Sequence, residues 1–267
     1  VDIVQLHLVE AALRVFAFDR LAARAVLAGV AHATPKSGVD RVEMIRMLKS
    51  TKDSAVKART QALNQMQALV VTAPAALREA LRGITATKLV DRCARLRPGE
   101  LATPKAVAKH TLRSLAHRCH QLTAEIEALE TELGRLTVQT APALLEAFGV
   151  GPDTAATLLV TAGSNPERLK SESAFAALCG VSPIPASSGK TNRHRLNRGG
   201  DRQANAALHR VVIVRLRHED RTKAYMKRRT GEGMTKTEVI RCLKRYVARE
   251  VFGILRELGR ENVTKGA

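Results

Sequence analysis

Two adjacent serines beside a lysine are the residues of this sequence whose types and spacing suit chemistry on a phosphate ester. Ser187 and Ser188 directly precede Gly189 and Lys190. A serine hydroxyl can attack a phosphodiester, and a nearby cation favours its ionisation and stabilises the transition state. A serine pair in a basic loop is more often a solvated linker or a phosphate contact, so both interpretations stay open at this point.

The segment around these serines, residues 178–202, is predicted to be a loop between helices, because it is rich in proline, glycine and serine. Arginine offers a planar fork of donors that suits phosphate oxygens. We therefore expect this loop to bind a nucleic-acid backbone through five cations: Lys190, Arg193, Arg195, Arg198 and Arg202.

A second candidate phosphate site is the stretch LLEAFGVGPDTAATLLVTAG, residues 144–163. Gly149 and Gly151 lie between two apolar segments of helical character, which is the pattern of a helix-hairpin-helix. The glycines would let a turn approach a phosphate closely, and the free amides of the next helix would attract the anion. An ordinary helical turn in which glycine only ends a helix would give the same pattern.

The C-terminal part is predicted to be helical as well. We expect an amphipathic helix over about 201–218, then a short basic helix capped by Asp220. Thr235 and Glu238 have the spacing of a capping box, and they introduce a final helix that runs to about Leu258.

One face of this final helix is apolar and includes Tyr246. The opposite face carries Arg241, Lys244 and Arg245, together with Arg249. Such a face is usually only solvated, but here the charges of its first half share one sign. We therefore predict that Arg241, Lys244 and Arg245 contact nucleic acid.

The charge of the whole chain supports a polyanionic partner. Its 267 residues include 44 Lys and Arg against 25 Asp and Glu, a net charge of +19. Residues 181–267 alone hold 21 basic and 8 acidic residues, so most of the excess lies in the last third. A uniform compositional bias would not concentrate charge in this way, whereas nucleic-acid binding would.

The remaining composition favours packed helices. Hydrophobic residues make up 45% of the chain and aromatic residues only 3%, and Ala and Leu are strong helix formers. The four cysteines are widely separated and are expected to be reduced and mostly buried. Neither a membrane span nor a signal peptide is visible, so we expect a cytoplasmic protein.

The clearest periodicity predicts a long helix with a heptad seam over residues 108–136, and a second long helix is predicted over about 39–71. The two helices could pair within the chain, or one could pair with its copy in another protomer. The expected fold is mainly α, with long coiled-coil-like helices before a helix-hairpin-helix and a small helical domain. The seam consists of Ala108, Leu112, Leu115, Cys119, Leu122, Ile126, Leu129, Leu133 and Leu136.

Four stretches of the sequence are similar to the insertion sequence family 110 transposases, the bridge-RNA-guided serine and RuvC-like recombinases. They are KARTQALNQMQALVVTAP at 57–74, LVDRCARLRPG at 89–99, the long segment 148–210, and MTKTEVIRCLKRYVAREVF at 234–252. The last two are the most specific. The resemblance extends over most of the chain, from about Leu21 to Leu258.

This resemblance implies a recombinase in two parts. An N-terminal RuvC-like domain would hold divalent metal, expected to be Mg²⁺, through acidic residues. A C-terminal transposase domain would supply the serine that becomes joined to DNA. By its position before a glycine, that serine corresponds to Ser188, with Ser187 as the fallback. Double-stranded DNA, a guide RNA and further copies of the protein are the partners that the family implies.

The N-terminal end departs from the family pattern. An Asp-x-x-Asp motif is expected before AARAVLAG, but here Asp19 stands alone and Phe16 occupies the position of its partner. Asp19 is at most a leftover of a metal site. The expectation is an N-terminally truncated transposase that retains the nucleic-acid-binding and serine half. Its serine chemistry is expected to be impaired, because the metal-binding domain would be missing. The alternative is a non-catalytic nucleic-acid-binding remnant or an architectural helix-hairpin-helix protein.

These interpretations divide the chain into five ranges. They are an edge of the N-terminal catalytic domain (1–35), a helical linker with the heptad seam (36–140), the helix-hairpin-helix (141–170), the transposase domain with the basic serine loop (171–260) and a tail (261–267).

Overall fold

A long helical hairpin and a bundle of shorter helices make up the computed structural model, which describes residues 20–30, 40–163, 169–186, 194–195 and 197–265. The chain divides into two units, Val1–Ser37 and Gly38–Ala267. The described part of the first unit is the short helix α1 (Arg20–Leu27), which is followed by Gly29 with a φ of 65°.

The second unit contains the other described elements. The hairpin helices are α2 (Arg41–Thr72) and α5 (Pro104–Thr140), and the short helices α3 (Ala75–Leu81) and α4 (Ala86–Ala94) connect them. The rest of the chain forms α6 (Pro142–Glu146), α7 (Pro152–Ala162), α8 (Glu172–Leu178), β1 (Ile184–Pro185), β2 (His194–Arg195), α9 (Arg202–His218), α10 (Asp220–Gly231) and α11 (Lys236–Lys265). The prediction of a mainly α fold is confirmed.

Helices α2 and α5 pair within the chain and run antiparallel. At the open end of the hairpin, Arg41 donates to the carbonyl of Gln139 at 3.4 Å. Towards the other end, the sulfur atoms of Met66 and Cys119 lie 4.0 Å apart. The structure thus shows the intramolecular hairpin, one of the two pairings that the sequence left open.

The heptad seam of α5 faces α2. Its most deeply buried members are spaced seven residues apart, starting at Leu112. Leu112, Cys119, Ile126 and Leu133 are each no more than 4% exposed. The alternate seam positions Leu115, Leu122 and Leu129 are only half-buried, because a single partner helix covers one side of α5 more fully than the other.

The hairpin joins two hydrophobic cores. The outer core lies where α3 and α4 pack on the closed end of the hairpin, around Met66, Cys93 and Leu112. The main core combines the open end, at Ile45 and Leu133, with helices α6 to α11. This core takes residues from both the 141–170 and the 171–260 ranges.

Local sequence signals set most helix boundaries. The Asp40 carboxylate accepts from the Glu43 amide at 2.9 Å at the start of α2, as expected for an N-cap. The predicted capping box of α11 is confirmed, since the Thr235 amide donates to Glu238 at 2.9 Å and the Glu238 amide donates to the Thr235 hydroxyl at 3.3 Å.

Two boundary predictions are wrong. Glu219, and not Asp220, occupies the N-cap of α10, and its carboxylate accepts from the hydroxyl of Thr222. Asp220 is instead the first helical residue and pairs with Lys223 at 2.9 Å. Helix α11 also continues beyond Leu258 to Lys265. Within the described ranges, no helix is both long and apolar enough to cross a membrane.

Candidate nucleic-acid interface

The loop predicted over residues 178–202 is closed at its base by two glycines, and the segment between them, residues 181–199, is hereafter called the basic loop. Gly180 and Gly200 have φ values of 64° and 93°, a region that favours glycine. A Cβ atom on Gly200 would lie 2.6 Å from the Gly180 nitrogen and 2.7 Å from the Ala177 carbonyl oxygen. The two backbones are therefore so close that neither position has room for a side chain.

The Asn205 side chain holds the same base from α9. Its amide nitrogen donates to the carbonyl oxygens of Cys179 at 3.0 Å and of Gly180 at 2.9 Å. Its amide oxygen accepts from Nζ of Lys244 on α11 at 2.8 Å. One side chain thus connects the start of the basic loop to two helices.

Asp201 completes the closure on the other side of the loop. Its backbone amide donates to the Leu178 carbonyl at 2.7 Å. Its carboxylate caps α9 by accepting from the amides of Gln203 and Ala204 at 2.7 and 3.0 Å. Burial raises the pKa of the neighbouring Cys179 thiol to about 12, and the negative charge of Asp201 acts in the same direction.

Above this base, β1 and β2 pair in an antiparallel register, with Ile184 opposite Arg195 and Pro185 opposite His194. Arg241 of α11 donates to the carbonyl oxygen of His194 at 3.3 Å. The base of the basic loop and the pair of strands β1 and β2 are therefore fixed to the helical body. The predicted residues Ser187, Ser188, Lys190 and Arg193 lie outside the described residues.

A cavity of about 360 Å³ opens at the base of the basic loop. Arg198 and Arg202 line it, and the structure adds Asn205 and His209, which the sequence did not single out. Both arginines are exposed, and no carboxylate among the described residues pairs with either. These cations remain available to an anion, so the structure brings two of the predicted phosphate-binding residues together.

The glycine turn before α7, where a phosphate site is predicted, packs against α9. Gly149 has a φ of 82°, and a Cβ atom there would lie 3.4 Å from the Val211 carbonyl oxygen and from the Val214 side chain of α9. Arg215 holds the turn by donating to the Phe148 carbonyl at 2.8 Å. Packing against α9 explains Gly149, whereas Gly151 is exposed and faces open space.

A carboxylate of the chain itself lies at the N-terminus of α7. Asp153 in its first turn lies 3.1 Å from Lys49 and 2.7 Å from Lys52 of α2, and 3.3 Å from Arg210 of α9. Both lysines are buried, and Lys52 also pairs with Glu130 of α5. This carboxylate therefore links the hairpin to the C-terminal helices.

A second cavity of about 360 Å³ lies between α2, α7 and α9. Arg46 and Lys57 of α2 line it, and Asp201 lines both this cavity and the one that holds Arg198 and Arg202. Cations of the hairpin and of the basic loop thus flank the start of α9 on two sides. The sequence did not predict this, because Arg46 and Lys57 are remote from the loop along the chain.

Helix α11 presents only part of the predicted basic face. Lys244 is 7% exposed and bonded to Asn205, so its placement on the outward face is wrong. Burial lowers the pKa of Lys244, and the positive charge of Arg241 lowers it further. Arg245 forms an ion pair with Glu172 of α8. Tyr246, which the sequence placed on the apolar face, is 51% exposed.

The described residues also bear on a metal site. In these parts of the chain, no three His, Cys, Asp or Glu side chains converge in a way that could hold a metal ion. Asp19, the suggested leftover ligand, lies outside the described residues.

Comparison with known proteins shows a partial match. Residues 141–227 match the family described as "Transposase IS116/IS110/IS902 family". Over 147 residues the chain is 29% identical to the "Insertion element IS110 uncharacterized 43.6 kDa protein" of Streptomyces coelicolor. That alignment covers 54% of the chain and 36% of the relative, so the chain spans about a third of the curated protein it matches. The family match includes the glycine turn, the basic loop and its base.

Proposed function

We propose that this chain is the DNA-binding and strand-joining part of a transposase. The observation that carries the proposal is the closed base of the basic loop. Gly180 and Gly200 meet there, and Arg198 and Arg202 line a cavity beside them. The match of residues 141–227 to a transposase family supports this use of the loop.

The base suits a loop that must hold a reactive group in place. A long loop whose ends are fixed loses less entropy when it orders on a substrate, because part of the conformational freedom is already removed. Two buried or half-buried side chains, Lys244 and Asn205, fix the start of the loop. Arg198 and Arg202 would then bind phosphates and position the backbone without reading its sequence.

In the proposed reaction, Ser188 is the nucleophile and Ser187 is the alternative. The hydroxyl oxygen attacks a phosphorus atom of DNA and forms a serine–phosphate ester bond. One bridging P–O bond breaks, and its oxygen leaves as a hydroxyl group with the proton that the serine gives up. Nearby guanidinium groups would stabilise the charge that develops on the phosphoryl oxygens.

The family resemblance suggests further partners for this reaction. We propose double-stranded DNA as the substrate, a guide RNA that selects the site, and an assembly of several copies of the protein. Mg²⁺ would be bound by acidic residues that do not belong to the described site. The DNA, the guide RNA and Mg²⁺ are therefore components of the assay that tests the reaction.

The test is an assay for a covalent protein–DNA adduct. The chain is incubated with duplex DNA from the ends of its own element, with the transcript of the adjacent noncoding region and with Mg²⁺. An adduct that survives denaturation and disappears on protease treatment is expected for the wild-type chain. It is expected to be lost in Ser188→Ala and retained in the matched control Ser187→Ala.

The opposite pattern in the two serine variants would transfer the role to Ser187. Salt-sensitive DNA binding without an adduct in the wild-type chain would contradict the catalytic proposal. It would instead support a non-catalytic nucleic-acid-binding protein.

A further inference from the structure

The two tyrosines of the chain lie together on its surface. The sequence contains no tryptophan and only these two tyrosines. Tyr225 of α10 and Tyr246 of α11 meet edge to face, with ring centroids 5.7 Å apart and planes at 83°. Tyr225 is half-buried against the main core and Tyr246 is exposed. In a chain that is poor in aromatic residues, the pair concentrates aromatic surface at one place.

Each ring has an arginine over it. The guanidinium carbon of Arg228 lies 5.4 Å from the centroid of Tyr225, and that of Arg249 lies 5.9 Å from the centroid of Tyr246. Both arginine side chains remain largely exposed, at 66% and 60%. Two carboxylates face this cluster: Glu232, 3.8 Å from Arg228, and Glu172, 3.4 Å from Arg249.

Packing between α10 and α11 explains only part of this arrangement. A tyrosine that served only to join two helices would be largely covered, as Val247 beside it is at 3% exposure. Tyr246 is 51% exposed instead. Proteins that bind single-stranded nucleic acids combine an aromatic surface with exposed cations, since bases stack on the rings and phosphates bind the arginines.

The pair is also close to the basic loop along α11. Arg241, one helical turn and a half before Tyr246, donates to the His194 carbonyl in β2. Arg241 at the basic loop and the Tyr246 ring therefore lie on the same helix, about 7.5 Å apart along its axis.

We propose that Tyr246, supported by Tyr225 and flanked by Arg249, is a stacking platform for an unpaired base of a single DNA strand. This inference rests on the proposed function, because strand transfer exposes unpaired bases next to the site. Stacking reads the face of a base and tolerates different sequences, so the platform would hold an opened strand without selecting its sequence.

The experiment compares the affinities of the full chain for a labelled strand of about twelve thymidines and for a duplex of similar length. Tyr246→Ala is expected to weaken binding of the single strand about tenfold, the typical effect of losing one stacked base. Tyr246→Phe keeps the ring and is expected to stay within about threefold of the wild type. Affinity for the duplex is expected to be the same in all three proteins.

A second measurement does not depend on folding of a variant. Because the chain lacks tryptophan, its intrinsic fluorescence comes from Tyr225 and Tyr246. Stacking of a base is expected to quench it on addition of the single strand but not of the duplex. A photoreactive 4-thiothymidine strand is expected to cross-link to Tyr246 in the wild-type chain.

Equal losses for single strand and duplex in Tyr246→Ala, or no loss in either, would overturn the inference. So would cross-links that map elsewhere. An effect of Tyr246→Ala on an RNA strand alone would overturn the assignment to DNA. Failure of the proposed function looks different, because duplex binding and the adduct would then be absent from the wild-type chain as well.

Discussion

Asn205 lies between the buried ammonium group of Lys244, 2.8 Å away, and the two backbone carbonyls that precede the basic loop. Three parts of the sequence meet at this one amide: the end of α8, the start of α9 and the middle of α11. The position of the loop therefore depends on a contact that no local sequence pattern encodes.

The first prediction concerns this amide. Asn205→Ala removes two hydrogen bonds to carbonyls and leaves the buried Lys244 without this partner, so we expect the free energy of unfolding to fall by about 1 to 3 kcal/mol. Gln203→Ala, on the exposed side of the same helix, is the control and should change it by less than about 0.5 kcal/mol. Urea denaturation followed by circular dichroism measures both, and equal effects would show that Asn205 has no special role.

The second prediction concerns the closed base of the loop. In Gly200→Ala the new Cβ atom would overlap the Gly180 backbone, and φ is 93°, so we expect a loss of more than about 2 kcal/mol. Gly134→Ala in α5 is the matched control, because its Cβ would meet nothing within 4 Å. Removing a helical glycine there should stabilise the protein by about 0.5 to 1 kcal/mol. Thermal denaturation measures the stability of both variants. An unchanged stability of Gly200→Ala would contradict the close contact between Gly180 and Gly200.

The third prediction uses the carboxylate that joins the hairpin to the C-terminal helices. Asp153→Ala leaves Lys49 and Lys52 buried without it, so we expect a loss of about 2 to 4 kcal/mol. Asp53→Asn removes a single contact with Lys49, at 3.2 Å, and should cost much less. Equal losses in the two variants would contradict a central role for Asp153.

The same carboxylate gives the effect a pH dependence. Burial alone would raise the pKa of Asp153, but the hydrogen bond from Lys52 and the charge of Lys49 bring it below its ordinary value. A lowered folded-state pKa means that the stabilisation is complete above the pKa of the unfolded chain and is lost as the pH falls through the folded value. The difference in stability between the wild type and Asp153→Asn should therefore shrink below about pH 4. A difference that stays constant down to about pH 2 would exclude this linkage.

The sequence predicted most of the helices because their signals are local. The heptad spacing of α5 and the Thr235–Glu238 box each depend on neighbours within a few turns. Burial of Lys244 was not predictable, since its partner Asn205 is 39 residues away. A lysine on an amphipathic helix is usually solvated, and only the packed structure shows otherwise.

In the candidate site, too, some features were predictable from the sequence and others were not. Arginines in a loop with prolines and glycines suggested phosphate binding, and Arg198 and Arg202 do line one cavity. The glycine pattern at residues 149–151 is typical of a phosphate turn, and in the structure Gly149 packs against α9. Close approach of a neighbouring helix and close approach of a phosphate both require glycine, so the sequence pattern alone does not distinguish them.

The fourth prediction concerns thiol reactivity. Burial raises the pKa of Cys93 to about 11 and of Cys179 to about 12, and Cys119 shifts in the same direction. Cys242 is the cysteine that is only half-buried. Because thiolates are the reactive form, a thiol reagent at about pH 8 should label one cysteine quickly and three only after unfolding. Cys242→Ser should remove the fast phase, and fast labelling of two or more thiols in the native protein would contradict the described core.

The most direct test of a DNA-binding basic loop is the salt dependence of duplex binding in two double variants of equal charge. Arg198→Ala with Arg202→Ala removes the cations that line the cavity at the loop base, and Arg78→Ala with Arg82→Ala removes two exposed cations of α3. The plot of log K against log salt should become shallower by about 1 to 2 in the first variant, because each lost phosphate contact contributes about 0.9. The second variant should keep the wild-type slope, whereas equal slopes in the two variants would contradict the assignment of the basic loop to DNA.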